Sequence, residues 1–263
     1  MRSSPVWNPE QYGKYAGERS RPFADLVSRV AADAPARVVD LGCGPGNLTV
    51  TLRDRWPDAT VHGVDSSAEM IAAAQPLSSE RLTFEIADLR DWIAGAGPES
   101  VDVVVSNATL QWLPDQLDLL PQLVERIRPG GWLAVQIPGN QDAPSHSIMR
   151  EVAGRAPYAE FAAAAIARPD LPDAATYVEV LSASGCTVDA WETTYLHVLQ
   201  GENAVLEWVK GTGARPALQA LPEALREPFE AEYGARLAEA YPRREFGTVL
   251  PFRRVFAVAQ KVA

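Results

Sequence analysis

The chain has 263 residues, 47% of them hydrophobic and 22% charged, with a formal net charge of −10. That acidity argues against nucleic acid or an anionic membrane as partner, and no apolar run reaches the ~20 residues that cross a bilayer. The start, Met1–Trp7, lacks the apolar core of a signal peptide, and Cys43 and Cys186 are too few for a disulfide framework, so the chain reads as cytoplasmic.

Phe23, Leu26, Val27 and Val30 recur at helical spacing between Glu18 and Asp33, and Pro35 ends that pattern. Arg37–Leu41 then reads as a buried strand, because its β-branched apolar residues run without alternation. It breaks into Gly42-Cys43-Gly44-Pro45-Gly46-Asn47, where glycines let the backbone turn sharply and approach a ligand. Asn47 is expected to cap a helix over Leu48–Trp56. Thr60–Asp65 is a second predicted strand, and Ser67 opens a helix through Gln75. Leu82–Ala87 is a third strand with Asp88 at its end, and Val101–Ser106 a fourth. A helix follows from Gln116 to Ile127, and Pro129-Gly130-Gly131 turns into a fifth strand, Trp132–Ile137. Repeated β-α units with short loops predict a parallel, doubly wound α/β sheet. Further on come a short helix, Ala174–Ala183, a long strand, Thr187–Val198, and a last strand, Arg253–Val262. The stretches 139–173 and 201–250 are largely helical in pattern.

The glycines follow G-x-G-x-G with Asp40 before them, whereas a dinucleotide fingerprint requires G-x-G-x-x-G and places a pyrophosphate there. An acid at that point suits the cationic end of a ligand. D-L-G-C-G-P-G at Asp40–Gly46 resembles the first motif of the class I S-adenosylmethionine (SAM) dependent methyltransferases. The resemblance implies a Rossmann-like, seven-stranded, mainly parallel sheet whose last strand is antiparallel. It also implies that Asp40, Gly42, Cys43, Gly44 and Gly46 lie under the methionine and ribose of the cofactor. On that topology both helical stretches leave from carboxyl ends of strands. They would form a cap (139–173 and 201–250) over a core made of residues 1–138, 174–200 and 251–263.

Asp65, followed by Ser66, ends the second strand, where a carboxylate can accept both ribose hydroxyls; Asp65-Ser66-Ser67 would also start a helix, but strand end and spacing together favour the ligand role. By the same resemblance Met70 contacts the adenine region, Asp88 lies near the adenine amino group, and the Leu89 backbone lies beside the ring. Asn107, Gln111 and Trp112 follow the fourth strand and border the methyl group, although Trp112 could simply pack on Leu113 and Pro114. Methyl transfer asks the protein mainly to position two reactants and exclude water. A carboxylate acceptor is ionised at pH 7 and needs no general base, so no catalytic side chain and no metal is expected. His62 reads as structural and His197 stays open. His146 is the histidine best placed for a substrate. Arginine binds carboxylates bidentately, which draws attention to Arg19, Arg21, Arg150 and Arg215 in an otherwise acidic chain.

The resemblance narrows along the chain. W-N-P-x-x-Y at Trp7–Tyr12, E-R-S-R-P at Glu18–Pro22, N-A-x-L-Q-W-L-P-D at Asn107–Asp115 and M-R-E-V-A at Met149–Ala153 are similar to the trans-aconitate 2-methyltransferases. So are Y-x-x-x-L-S-x-x-G-C at Tyr177–Cys186, W-x-T-T-Y at Trp191–Tyr195 and W-V-x-x-T-G-x-R-P at Trp208–Pro216. This implies SAM-dependent monomethylation of one carboxylate of trans-aconitate or a close polycarboxylate, with Trp7 and Tyr12 closing over SAM. Methylation of another small free acid, or SAM binding without catalysis, are the alternatives. Oligomeric state is open.

Overall fold

The computed structural model describes residues 16–167 and 170–262, with side chains from residue 20 onward. Trp7, Tyr12 and the side chain of Arg19 lie outside the described residues. Helix α1 (Ala16–Ser28) leads into strand β1 (Arg37–Leu41), α2 (Thr49–Arg55), β2 (Thr60–Asp65), α3 (Ala68–Ala74) and β3 (Leu82–Ile86). Then come α4 (Leu89–Gly95), β4 (Val101–Asn107), α5 (Gln116–Arg126) and β5 (Ile127–Pro138). Helices α6 (Pro144–Ala153), α7 (Ala159–Ile166) and α8 (Ala174–Ala183) precede β6 (Cys186–Leu199). Helices α9 (Ala204–Lys210), α10 (Arg215–Ala220) and α11 (Glu223–Ala240) precede β7 (Thr248–Lys261).

The strands form one sheet in the order β3-β2-β1-β4-β5-β7-β6. Neighbours from β3 to β5 pair in parallel, and β7 is antiparallel to both β5 and β6. The expected doubly wound, mainly parallel sheet is therefore present, with its antiparallel strand inserted between β5 and β6. Carboxyl ends of β1, β2, β4, β5 and β6 consequently share one edge.

Local departures from the expectation have tertiary causes. Helix α1 stops at Ser28 rather than running to Asp33, because the carbonyls of Val30 and Ala32 accept from Arg55 Nη2 and Trp56 Nε1, both at 2.9 Å. Asn47 does not cap: α2 starts at Thr49 with no side-chain cap, and Thr49 Oγ1 instead donates to the buried Asp40 carboxylate at 2.7 Å. Strand β5 already begins at Ile127, so the Pro129-Gly130-Gly131 turn is an irregularity within it that shifts the register against β4. The short helix α4 was not foreseen; Asp88 caps it, its carboxylate accepting from Arg90 N at 2.8 Å.

Apolar side chains cover the sheet on both faces. Leu41, Val104 and Leu133 pack on one face, and Val38, Val103 and Phe256 on the other. A separate apolar cluster joins α6, α7, α9, α10 and α11 through Trp208, Phe229 and Tyr233, each at most 1% exposed. Burying side chains of this size is worth about 1.5–3 kcal/mol apiece, and the cluster also takes in Leu199 at the end of β6 and Leu250 and Phe252 of β7. Among the described residues no helix is long and apolar enough to cross a membrane.

Candidate functional site

The glycine loop is tied to the ends of two strands. Gly42 N and Cys43 N donate to Val64 O of β2 at 2.7 and 3.1 Å, which folds the loop back over the sheet edge. Asp65 closes that arrangement: its carboxylate accepts from Gly44 N at 2.9 Å and Ser67 N at 2.8 Å. Ser67 in turn caps α3, accepting from Met70 N. A Cβ on Gly42 (φ +79°) would lie 1.9 Å from Thr109 Oγ1, so the residues after β4 press directly on the loop. Among the described residues, a Cβ on Gly44 (φ +56°) would meet nothing within 4 Å. Among the described residues the loop thus leaves space above Gly44, rimmed by the half-buried Asp65 carboxylate.

The remaining residues expected at a cofactor are placed as follows. Asp40 is 2% exposed beneath the loop. Cys43, Met70 and Leu89 are buried, and Ser66 is exposed at the start of α3. Asp88 has its cap bond and an ion pair with Arg90, whose guanidinium is itself held by Asp115. Burial raises the carboxyl of Asp65 above its ordinary value against the lowering effect of its backbone N–H bonds.

Burial also pushes the Asp40 carboxyl up to about 7, opposed by the Thr49 hydroxyl and reinforced by the Asp65 charge. Between the ordinary carboxylate value of 3.8 and about 7, the folded chain then binds a proton that the unfolded chain releases. Stability contributed by this group is therefore lost as pH rises through that window, by at most about 4 kcal/mol. Asp40→Asn keeps an acceptor for Thr49 and should flatten the pH dependence. Urea denaturation of both proteins at pH 5 and pH 8 measures this, and equal changes in the two would refute it.

A cavity of ≈ 560 Å³ opens beside the loop, between the carboxyl ends of β4 and β5 and the helices α6, α7 and α9. This lies within the ~300–1,000 Å³ of small-molecule sites. Asn107, Gln111 and Trp112 line it from the segment after β4, and His146 and Arg150 from α6. That segment turns through Ala108, held at φ +56°, a conformation rare for a residue with a Cβ. The Gln111 side chain clamps the turn by donating to Ala108 O at 2.6 Å. Asn107 Oδ1 and Gln111 Oε1 are buried with no hydrogen-bond partner among the described residues. Arg150 is exposed at the mouth and donates to Gln141 O at 3.0 Å. His146 Nδ1 lies 3.2 Å from Ser145 Oγ, and its other nitrogen faces Gly213, where a Cβ would come within 3.1 Å.

Arg215, expected to contact substrate, is not among the residues lining the cavity. It opens α10, which packs against α7, and Thr212 and Gly213 occupy the wall instead. Arg21 stacks over the Tyr195 ring at 5.1 Å, also away from the lining. His62 bridges Thr83 and Glu85 on β3, a structural role. His197 is buried between Trp208 and Tyr195. Sequence reasoning passed over Arg254 on β7, which lines the cavity at 5% exposure. Its one sequence signal was an arginine pair, Arg253-Arg254, inside an otherwise apolar strand.

A methyltransferase-domain family profile matches residues 15–190. The trans-aconitate 2-methyltransferase of Streptomyces avermitilis is 51% identical over 98% of both chains. That of Mycolicibacterium gilvum is 49% identical, covering 97% of this chain and 99% of the relative. Among solved structures, geranyl diphosphate C-methyltransferase of Streptomyces coelicolor, in complex with S-adenosyl-L-homocysteine, has a TM-score of 0.54 at 13% identity, covering 96% of this chain and 83% of its own. Phosphoethanolamine N-methyltransferase 2 of Haemonchus contortus, in complex with SAM, has a TM-score of 0.55 at 18% identity, covering 92% of this chain and 53% of its own. At those identities the likeness concerns the fold.

Proposed function

Since this chain belongs to the trans-aconitate 2-methyltransferase family of methyltransferases, we propose that it methylates one carboxylate of trans-aconitate with SAM, giving the monomethyl ester. The observation that carries the reading is the near end-to-end similarity to relatives of that name, which extends through the helices enclosing the cavity.

The glycine loop fits the cofactor, because no described residue fills the space above Gly44 and the Asp65 carboxylate stands at its rim. Asp40, Gly42, Cys43, Gly44, Gly46, Asp65, Ser66, Met70, Asp88, Leu89 and Asn107 would hold it. When bound, SAM would supply an electrophilic methyl group to the acceptor carboxylate and retain the bonding electrons on its sulfur. No proton moves, so the chain needs no general base. Its work is to orient the acid with His146, Arg150, Gln111 and Trp112, and to exclude water behind the helices.

Mass spectrometry of the purified protein with SAM and trans-aconitate tests this, with a gain of one methylene unit expected. No ester from trans-aconitate, citrate, isocitrate or isopropylmalate would refute it.

A further inference from the structure

Strand β5 ends at Pro138, and the chain passes from it into α6 through Gly139-Asn140-Gln141-Asp142-Ala143. This connection is pinned at both ends. Gly139 N donates to Arg253 O at 2.9 Å, and Gly139 O accepts from Arg253 Nη1 at 2.8 Å, which ties its start to β7. A Cβ on Gly139 would lie 2.9 Å from Val255 Cγ2, so the two backbones approach closely there. Asn140 O accepts from Ala143 N at 3.0 Å and closes a turn at the threshold of α6.

The backbone of Asn140 is thus fixed, and its side chain lines the cavity at 6% exposure. Among the described residues that side-chain amide has no hydrogen-bond partner. Gln136 Nε2 is also without one but is sealed inside the sheet, whereas the Asn140 amide keeps contact with the open cavity. Buried amides are nearly always paired, because leaving one unpaired is costly. An unpaired one on a cavity wall is completed by what enters the cavity.

Charge at this corner favours an anion. The positive end of the α6 dipole follows the turn, and His146 and Arg150, four residues apart on α6, line the same cavity. Asp142, also in the lining, is exposed, and its charge acts on Arg253. An asparagine can turn both Nδ2 hydrogens toward an acceptor. Asn140 lies four residues beyond Gln136, which stands opposite Asn107, and so apart from the segment expected beside the methyl group.

We propose that Asn140 is a substrate-binding residue whose Nδ2 donates to a carboxylate that is not methylated, holding the acid between the sheet edge and α6. The inference rests on the reading of the chain as a polycarboxylate methyltransferase. A bond to a carboxylate that keeps its charge is made equally in ground and transition states. Its loss therefore appears in KM rather than kcat.

The test uses Asn140→Ala and the isosteric Asn140→Asp. Binding of trans-aconitate to protein loaded with S-adenosylhomocysteine is followed by calorimetry, alongside steady-state kinetics at saturating SAM. Loss of a hydrogen bond to a charged group predicts that Asn140→Ala weakens trans-aconitate binding and raises KM about 10- to 100-fold. Its kcat should change less than threefold and its SAM affinity should stay unchanged. Asn140→Asp keeps the shape but sets a like charge against the acid, and should bind it at least about tenfold more weakly than the alanine variant. A merely structural role would reverse that order, since aspartate fills the position and alanine leaves a gap. If the alanine variant does not fold, the aspartate variant carries the test against wild type, with a loss of at least about 100-fold expected. Trans-aconitate binding within threefold of wild type in either variant would overturn the assignment. So would aspartate binding the acid as tightly as alanine, or a loss of SAM affinity equal to that of the acid. Wild-type binding without turnover would overturn the methylation reading alone, and no polycarboxylate binding by the wild type would overturn both.

Discussion

Asp65→Ala is expected to weaken SAM binding at least about 100-fold while leaving a folded protein. The carboxylate joins the loop to α3 through Gly44 N and Ser67 N. Its removal leaves two donors without an acceptor, at about 1–3 kcal/mol for each buried one. It also removes the carboxylate expected from the sequence to take the ribose hydroxyls. Asp65→Asn retains one acceptor oxygen and should lose less, about tenfold. Calorimetric titration with SAM measures both, and an affinity within threefold of wild type in the alanine variant would contradict the assigned role. Burial holds this carboxyl above its ordinary value, so hydroxyl donors from a ligand would favour its ionised form.

Gly42→Ala is the second large effect, and it acts through the segment after β4. The added methyl would lie 1.9 Å from Thr109 Oγ1 and 2.6 Å from Thr109 Cβ. Turning the threonine side chain does not remove that clash, so the backbone carrying Asn107, Gln111 and Trp112 must move. The positive φ adds roughly 1–2 kcal/mol and the overpacking about 1–3 kcal/mol. Together they are expected to lower Tm on the order of 10 °C and to reduce kcat at saturating SAM. Thr109→Gly should restore part of the loss in the double variant, since neighbouring sites couple. Independent, additive effects would argue against this contact. Gly44→Ala is the contrast: among the described residues nothing lies within 4 Å of its added methyl. It should cost little stability beyond the strained φ yet impair SAM binding, which the same melts and titrations separate.

Much of the glycine loop is legible in the sequence. The glycine spacing, Asp40 before it and Asp65 at the next strand end mark the loop, because tight turns and close approach demand particular residues at fixed offsets. Uninterrupted apolar strands gave the parallel sheet for a similar reason: burial on both faces leaves no alternation. Capping was less legible. Asn47 has the right chemistry for a cap and Asp88 has the same, yet only Asp88 caps, because Thr49 at the start of α2 is drawn to the buried Asp40.

The arginines divide along the same line. Arg150 and Arg215 both sit in helical stretches near glycine or helix starts, and sequence proximity treated them alike. Packing of α10 on α7 turned Arg215 out of the lining, while Arg150 stayed at the mouth. Arg254 was hidden for the opposite reason. A strand's period of two puts Arg253 and Arg254 on opposite faces, but the sequence does not say which face is buried.

The sequence by itself determined the succession of strands, the glycine loop and the kind of chemistry its edge supports, since these depend on short-range spacing and composition. Tertiary structure alone decided which cation is buried in the cavity wall. That depended on β7 inserting antiparallel between β5 and β6 and on its register with Gln136, pairings between residues far apart in the chain that no local pattern encodes.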